Sequence, residues 1–114
     1  MKLVEIESPY TAPTEAGVRR HEAYARACLR DSLSRGEAPL ASHLLYTQPG
    51  VLDDRVPAER LMGMEAGKAW GRFAELVAVY LDCGISDGMR WGIQRAASDG
   101  RPVEFRRLGG GWSL

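Results

Sequence analysis

The run of residues 77–89 constrains the fold of this chain more than any other segment. Residues 77–81 are apolar and rich in β-branched side chains, and the run stops at Asp82. A glycine turn follows, and Ser86 then begins a segment with apolar residues at helical spacing. This pattern is typical of a βα unit, with a buried strand and polar residues where it ends. Because the first amides of a helix lack partners, the sequence predicts a site for an anionic or hydroxyl group here.

The alternation of strand and helix patterns continues along the chain. Strands are predicted at residues 3–6, 39–41, 75–81 and 103–106, and helices at residues 14–36, 57–73 and 86–98. Right-handed crossovers turn such a pattern into a parallel sheet with helices on both faces. We expect a single domain over residues 1–114 with a small three-layer α/β fold, flavodoxin-like or Rossmann-like, of about four to five strands and about three helices. The last strand is expected at a sheet edge.

Composition limits the classes of partner. Fifteen basic residues balance fifteen acidic ones, which argues against strong nonspecific binding to nucleic acid polymers or to anionic membranes. No stretch approaches the ~20 apolar residues of a membrane span, and the first residues are too charged for a signal peptide. We therefore expect a cytoplasmic protein whose partner is a small molecule.

The two cysteines lack the spacing of a disulfide framework or a zinc site, so we expect no metal and no cofactor. Cys28 lies on the apolar stripe of the first helix and is predicted to be a core residue. Cys83 follows the third strand. It is interpreted either as an ordinary loop residue or as a reactive thiol whose pKa is lowered by the following helix.

Helical spacing also assigns residues to the core. The apolar stripe of the second helix consists of Met62, Ala66, Ala69, Trp70 and Phe73, and it is predicted to face the sheet. Trp91 on the third helix is a candidate for a contact between subunits. His21 lies on the stripe of the first helix and is interpreted as structural.

Three polar loops follow the first three strands. They contain Ser8, Pro9 and Tyr10; then Ser42, His43 and Tyr46; then Asp82, Ser86, Asp87 and Gly88. Because the carboxyl ends of parallel strands meet at one edge of a sheet, we expect these loops to converge. Asp53 and Asp54, in a later loop, either reach a partner's site or hold their own loop through local backbone bonds.

The same loops carry a resemblance to a known family. The segments are Ile6 to Tyr10, Ala41 to Tyr46, Leu52 to Asp54, Gly84 to Met89 and Asp99 to Val103. In this order and spacing the chain resembles the nucleoside 2-deoxyribosyltransferase-like superfamily, especially its small bacterial and phage members. No phosphate-binding GxGxxG or Walker sequence competes with this resemblance.

The resemblance implies a set of ligand-binding residues and one missing catalytic residue. The implied ligand-binding residues are Ser8, Pro9, Tyr10, His43, Tyr46, Asp82, Ser86, Gly88 and Met89. In that family a glutamate near the start of the last helix attacks the anomeric carbon of a deoxyribosyl group. The resemblance implies that this glutamate falls at Arg90, Trp91 or Gly92, and the spacing to Asp99 favours Gly92, so the nucleophile is absent on each alignment. We expect the substitution Gly92→Glu to place a carboxylate facing the sugar site.

Three functions remain open. The first is a protein that binds a nucleotide or nucleoside derivative and sequesters or senses it. The second is an active N-glycoside hydrolase or 2-deoxyribosyltransferase that uses Asp82 or Asp87 as its catalytic carboxylate. The third is a structural or protein-binding domain without a pocket. For either ligand-binding function we expect a homodimer or a higher homo-oligomer, because the resemblance implies that a neighbouring subunit helps to close the pocket.

Overall fold

The computed structural model describes residues 1–112, and a parallel sheet forms its centre. The strands are β1 (Leu3–Glu7), β2 (Ala38–Leu40), β3 (Leu76–Tyr80) and β4 (Val103–Arg106). Their spatial order is β2-β1-β3-β4, and every neighbouring pair is parallel. The central strands are therefore β1 and β3, and β4 lies at an edge, as the sequence predicts.

Helices connect the strands. The three predicted helices begin within one residue of their predicted positions, and a short helix at Ser42–Leu45 was not predicted. They are α1 (Glu15–Ser34), the short α2 (Ser42–Leu45), α3 (Pro57–Gly71) and α4 (Asp87–Ser98), and a 3-10 turn follows at Gly110–Trp112. The predicted caps are present: the Thr14 hydroxyl accepts the Gly17 amide at 3.1 Å, and the Ser86 hydroxyl accepts the Met89 amide at 3.2 Å. Within residues 1–112, no helix is long and apolar enough to cross a membrane.

The sheet separates two cores, which makes the fold three-layered. One core includes Val4, Ile6, Tyr24, Cys28, Ala78 and Tyr80. The core on the other face consists of Val77, Val79, Met89 and Ala96. The predicted burial of Cys28 is confirmed. These features confirm the predicted flavodoxin-like α/β fold.

The buried positions of α3 are glycines, which contradicts the predicted apolar stripe. Gly67 and Gly71 are the buried residues of this helix, whereas Met62, Trp70 and Phe73 are 59–69% exposed. A Cβ atom on Gly67 would lie 3.0 Å from the Cβ atom of Ser42. The helix backbone therefore lies too close to its neighbours for a side chain at these positions, and its large apolar residues point outward.

The segment after β4 packs against α1. The ring of Trp112 lies 5.2 Å from that of Tyr24, and the Arg20 guanidinium lies 5.3 Å from the Trp112 ring centre. Arg20 also donates to the carbonyl oxygen of Trp112 at 2.9 Å. The glycine-rich segment 109–112 is thus held against α1 by its aromatic residue.

The glycine face of α3 can be tested by adding one methyl group. We expect Gly67→Ala to lower the free energy of unfolding by about 1–3 kcal/mol, because the new Cβ atom overpacks against Ser42. The matched control is Gly88→Ala in α4, where the nearest atom, the Ser86 hydroxyl oxygen, is 3.9 Å from the new Cβ atom. Urea denaturation measures both variants. A Gly67→Ala protein as stable as the Gly88→Ala protein contradicts the close packing.

Candidate functional site

A cavity of about 130 Å³ lies at the carboxyl end of β1, between this strand and the helices α2, α3 and α4. Its lining includes residues from all three predicted loops: Ser8, Tyr10, His43, Tyr46, Ser86, Gly88 and Met89. The structure therefore brings together seven of the nine residues that the sequence analysis assigns to ligand binding. Pro9 is buried but does not line the cavity. Asp82 does not line it either.

A hydrogen bond joins the first two loops. The hydroxyl oxygen of buried Ser8 lies 2.7 Å from Nε2 of His43. Burial lowers the pKa of His43 to about 4, because the charged imidazolium is poorly solvated there. At neutral pH this cavity wall therefore presents a neutral imidazole.

The loop after β1 is held in place by α1. Nδ1 of His21 lies 3.0 Å from the carbonyl oxygen of Tyr10, so His21 has the structural role that its position predicts. The Tyr10 hydroxyl donates to a carboxylate oxygen of Glu22 at 3.5 Å. Together these contacts orient the Tyr10 ring at the cavity wall.

The start of α4 forms another wall. Ser86 accepts the amide of Met89, and its own amide donates to the Met89 sulfur at 3.4 Å. Met89 is fully buried, and Gly88 lines the cavity without a side chain. The reciprocal contact fixes the first turn of α4 beside the cavity.

Asp82 holds the fold together on the far side of the sheet from the cavity. Its carboxylate accepts hydrogen bonds from the Tyr24 hydroxyl at 2.7 Å and from the amides of Leu108 and Gly109 at 2.8 and 2.9 Å. Burial acts to raise the pKa of Asp82, but these hydrogen bonds outweigh it and the pKa is lowered. The carboxylate is thus ionised and fully used in joining α1 to the segment after β4.

Asp87 also does not line the cavity, although its neighbours Ser86 and Gly88 do. Its side chain is 97% exposed and lies 3.4 Å from the guanidinium of Arg90 on the same helix. The structure therefore brings neither of the two predicted catalytic aspartates to the cavity.

Two glutamates that the sequence analysis overlooked line the cavity instead. Glu5 and Glu7 lie on β1, on the face opposite Val4 and Ile6, because alternate strand residues point to opposite faces. A usable signal was present: in a central strand covered on both faces, alternating Val-Glu-Ile-Glu must bury its carboxyls.

The carboxyls of Glu5 and Glu7 differ in their charged neighbours and in how far their pKa values are raised. Glu5 is buried, and its Oε1 lies 3.8 Å from Nη1 of Arg101. No cation of residues 1–112 pairs with Glu7. Burial raises the pKa of Glu5, although Arg101 partly opposes this. Burial raises the pKa of Glu7 further above its usual value, and the neighbouring charge of Glu5 adds to the effect.

Gly92 leaves the space that Glu7 fills. A Cβ atom on Gly92 would lie 2.6 Å from Cδ of Glu7 and 2.9 Å from its Oε1. The expectation that Gly92→Glu would place a carboxylate in an open site is therefore wrong, because the carboxyl of Glu7 already occupies this position. A side chain at residue 92 would collide with it.

Positive and aromatic side chains complete the lining. Lys68 of α3 and Arg95 of α4 line the cavity, and neither has an acidic partner among the described residues. The Arg95 guanidinium lies 5.8 Å from the ring centre of Trp91, which also lines the cavity. Asp54, at the cavity wall, lies 4.0 Å from Arg60.

The remaining sequence candidates serve local structure. Asp53 binds the amide and the guanidinium of Arg55, which matches the interpretation that it holds its own loop. Burial raises the pKa of the Cys83 thiol, so the interpretation of a thiol activated by a lowered pKa is wrong. Within residues 1–112, no group of three metal-ligating side chains is arranged to hold a metal ion.

Comparison with solved structures shows that the fold is similar to that of a 2-deoxyribosyltransferase. A solved structure of the 2-deoxyribosyltransferase from the psychrotolerant bacterium Bacillus psychrosaccharolyticus, described as a biocatalyst for nucleoside synthesis, superposes with a TM-score of 0.63. The similarity covers 95% of this chain and 74% of the enzyme at 16% sequence identity, which shows a shared fold. Residues 2–106 match DUF7768, a domain of unknown function, and the chain belongs to this family. No curated protein matches the sequence.

The raised pKa of Glu7 has a measurable effect on stability. Above about pH 4.5 the unfolded chain releases this proton while the folded chain keeps it, so ionisation favours unfolding as the pH rises. We expect Glu7→Gln to be stabilised relative to wild type by an amount that grows from about pH 4.5 to the folded pKa, by about 1.4 kcal/mol for each unit of the shift.

Denaturation at a series of pH values measures this gain, and the exposed Glu65→Gln on α3 is the matched control. A gain that does not change with pH, or that also occurs in the control, contradicts the buried protonated carboxyl.

Proposed function

We propose that this chain is a single domain that binds a nucleoside or nucleotide derivative in the cavity at the carboxyl end of β1, and that it sequesters or senses this ligand. The observation that carries the proposal is the convergence of three separate loops, represented by Ser8, His43 and Ser86, on this cavity. Ligands of open α/β sheets bind at this edge, outside the carboxyl ends of the strands.

The lining suits the parts of such a ligand. Aromatic rings of Tyr10, Tyr46 and Trp91 offer faces against which a base can stack. Lys68 and Arg95 offer cationic donors, which form the strong, charge-assisted type of hydrogen bond with phosphate. Ser8 and Ser86 supply hydroxyl groups for a sugar. The likeness in fold to a 2-deoxyribosyltransferase supports this ligand class.

The other two interpretations receive less support. Catalysis by Asp82 or Asp87 is disfavoured because neither carboxylate lines the cavity. A purely structural or protein-binding domain is disfavoured because the polar loops form a cavity. In this proposal the chain lacks the catalytic glutamate of the nucleoside 2-deoxyribosyltransferase-like superfamily, which the resemblance places most closely at Gly92.

We also propose that a second copy of this chain covers the outer face of α3. Four large apolar residues on this helix and just after it are more than half exposed: Leu61, Met62, Trp70 and Phe73. Exposed apolar patches of this kind mark interaction surfaces. Because the inner face of α3 lines the cavity, a subunit on its outer face would stabilise the cavity wall.

The two lysines of the chain offer a matched test of ligand binding. We expect Lys68→Met to weaken the binding of a 2′-deoxynucleoside 5′-monophosphate by roughly 10- to 100-fold, because a charge-assisted hydrogen bond is lost. Binding of the uncharged nucleoside should change little. Lys2→Met, at an exposed position outside the cavity, is the control.

Titration calorimetry measures these affinities with the common nucleosides, their 5′-monophosphates, ADP-ribose and cyclic nucleotides. Binding of none of these compounds to the wild type contradicts the proposed function.

The oligomer is tested by gel filtration with light scattering. We expect the wild type to elute as a dimer or a larger assembly, and Trp70→Glu to reduce its mass to that of the monomer, because a buried unpaired charge is costly at an apolar interface. Exposed Glu65→Gln should leave the mass unchanged. A wild type that is strictly monomeric at micromolar concentration refutes the proposed interface.

A further inference from the structure

Helix α3 is the wall of the cavity that is least anchored to the fold. Its buried residues are Gly67 and Gly71, which lie against Ser42 of α2 and Glu5 of β1. Of the described residues, none from α3 belongs to either core, whereas α4 contributes Met89 to one of them. Because a glycine face has no side chain that interlocks with its neighbours, α3 can slide without withdrawing side chains from a core.

The cavity that α3 covers is smaller than its proposed ligand requires. Its volume is about 130 Å³. Sites that enclose a small molecule of drug size, such as a nucleotide, hold about 300–1,000 Å³. Binding therefore requires a wall of the cavity to move outward, and α3 is the wall whose movement disrupts neither core.

Charged side chains give the ligand a contact with α3. Lys68 of α3 and Arg95 of α4 line the cavity from two different helices. Nε of Arg95 is buried and makes no hydrogen bond within residues 1–112. An anionic group of the ligand that binds both side chains therefore fixes the position of α3 relative to α4.

The outer face of α3 carries an apolar stripe. Met62, Ala66, Ala69 and Phe73 follow one another at spacings of four, three and four residues. This is the spacing of a seam between two paired helices. Trp70 lies beside the stripe and is 60% exposed. Because a two-fold pair of identical chains brings the same surface together from both sides, the stripe fits α3 of a second copy, which is the interface proposed above.

We propose that ligand binding and self-association are coupled through α3, so that each strengthens the other. The inference rests on the proposed function, which supplies the ligand and the second copy. The ligand fixes α3 from its inner face, and the second copy fixes it from its outer face. The concentration of the ligand is thereby converted into a change of assembly, which is what a sensor requires.

The sign of the coupling follows from the weak anchoring of α3. Each of the two events orders the same helix, so the event that comes second loses less conformational entropy. By thermodynamic linkage, the ligand strengthens association by the same factor by which association strengthens ligand binding. The coupling is therefore measurable from either side.

The first test measures self-association with and without ligand. Analytical ultracentrifugation of the wild type at a series of concentrations gives its dissociation constant, alone and with each common 2′-deoxynucleoside 5′-monophosphate in excess. We expect the monophosphate that binds in calorimetry to tighten association by about 5- to 150-fold, the usual range of coupling between two sites. Lys68→Met should associate like the wild type without ligand and lose this response, because the phosphate no longer contacts α3.

The second test measures the reciprocal effect. Trp70→Glu, which removes association, should bind the same compound more weakly by the same factor, although Trp70 does not line the cavity. Calorimetry compares the two proteins at a concentration at which the wild type is associated. Phe105→Glu on β4 is the matched control, since Phe105 is an aromatic residue that is 55% exposed and lies outside α3. It should leave association and binding unchanged, and circular dichroism establishes that both variants are folded.

Each result decides the inference. A wild type that binds one of these compounds but associates equally with and without it overturns the coupling and leaves the proposed binding function standing. A folded Trp70→Glu protein that no longer associates, yet binds as tightly as the wild type, also overturns it. Binding of none of the compounds removes the proposed function together with the inference.

Discussion

The site depends on the close approach of two glycine positions to the carboxyl-bearing face of β1. Gly71 of α3 lies over Glu5, and Gly92 of α4 lies over Glu7, with no side chain between helix and carboxyl. This approach takes both carboxyls out of bulk water. Arg101, which also contacts Asp99, forms an ion pair with Glu5 but not with Glu7. Two buried carboxyls with a single counter-ion are most stable when one of them is protonated. The lining of the cavity at the end of β1 therefore contains two buried carboxyl groups, those of Glu5 and Glu7.

The two faces of the sheet differ in how completely their polar and charged side chains are paired. On the α1 face, Tyr24 and the carboxylate of Asp82 form a fully hydrogen-bonded network that fixes the segment after β4. On the α3 and α4 face, Lys68, Arg95 and Glu7 remain without hydrogen-bonded partners of opposite charge among the described residues. Buried polar groups that stabilise a fold are normally satisfied, so the unpaired charged groups around this cavity are consistent with the ligand site proposed above.

Local sequence patterns predicted the four strands and the three long helices, because these elements form from residues that are neighbours in the sequence, but they did not predict the short α2. The apolar run before Asp82 predicted β3, and the cap at Ser86 predicted the start of α4. The convergence of the polar loops followed from the predicted parallel sheet. The orientation of α3 was not predictable from hydrophobic periodicity, since that argument assumes that the buried face is the apolar one. Here glycine is buried and Trp70 is exposed, because backbone proximity to Ser42 and Glu5 outweighs apolar burial. Glu7 was missed for the related reason that a charged residue in a strand is ordinarily assigned to solvent.

The central claim is that the carboxyl of Glu7, in the cavity lining, carries a proton at neutral pH. Infrared difference spectroscopy between wild type and Glu7→Gln, with glutamate labelled by carbon-13 at its carboxyl carbon, observes this proton directly. The account predicts a protonated carboxyl band in the wild type that is absent from Glu7→Gln and is unchanged in Glu65→Gln. A wild type in which the Glu7 signal is found only in the carboxylate region would contradict it.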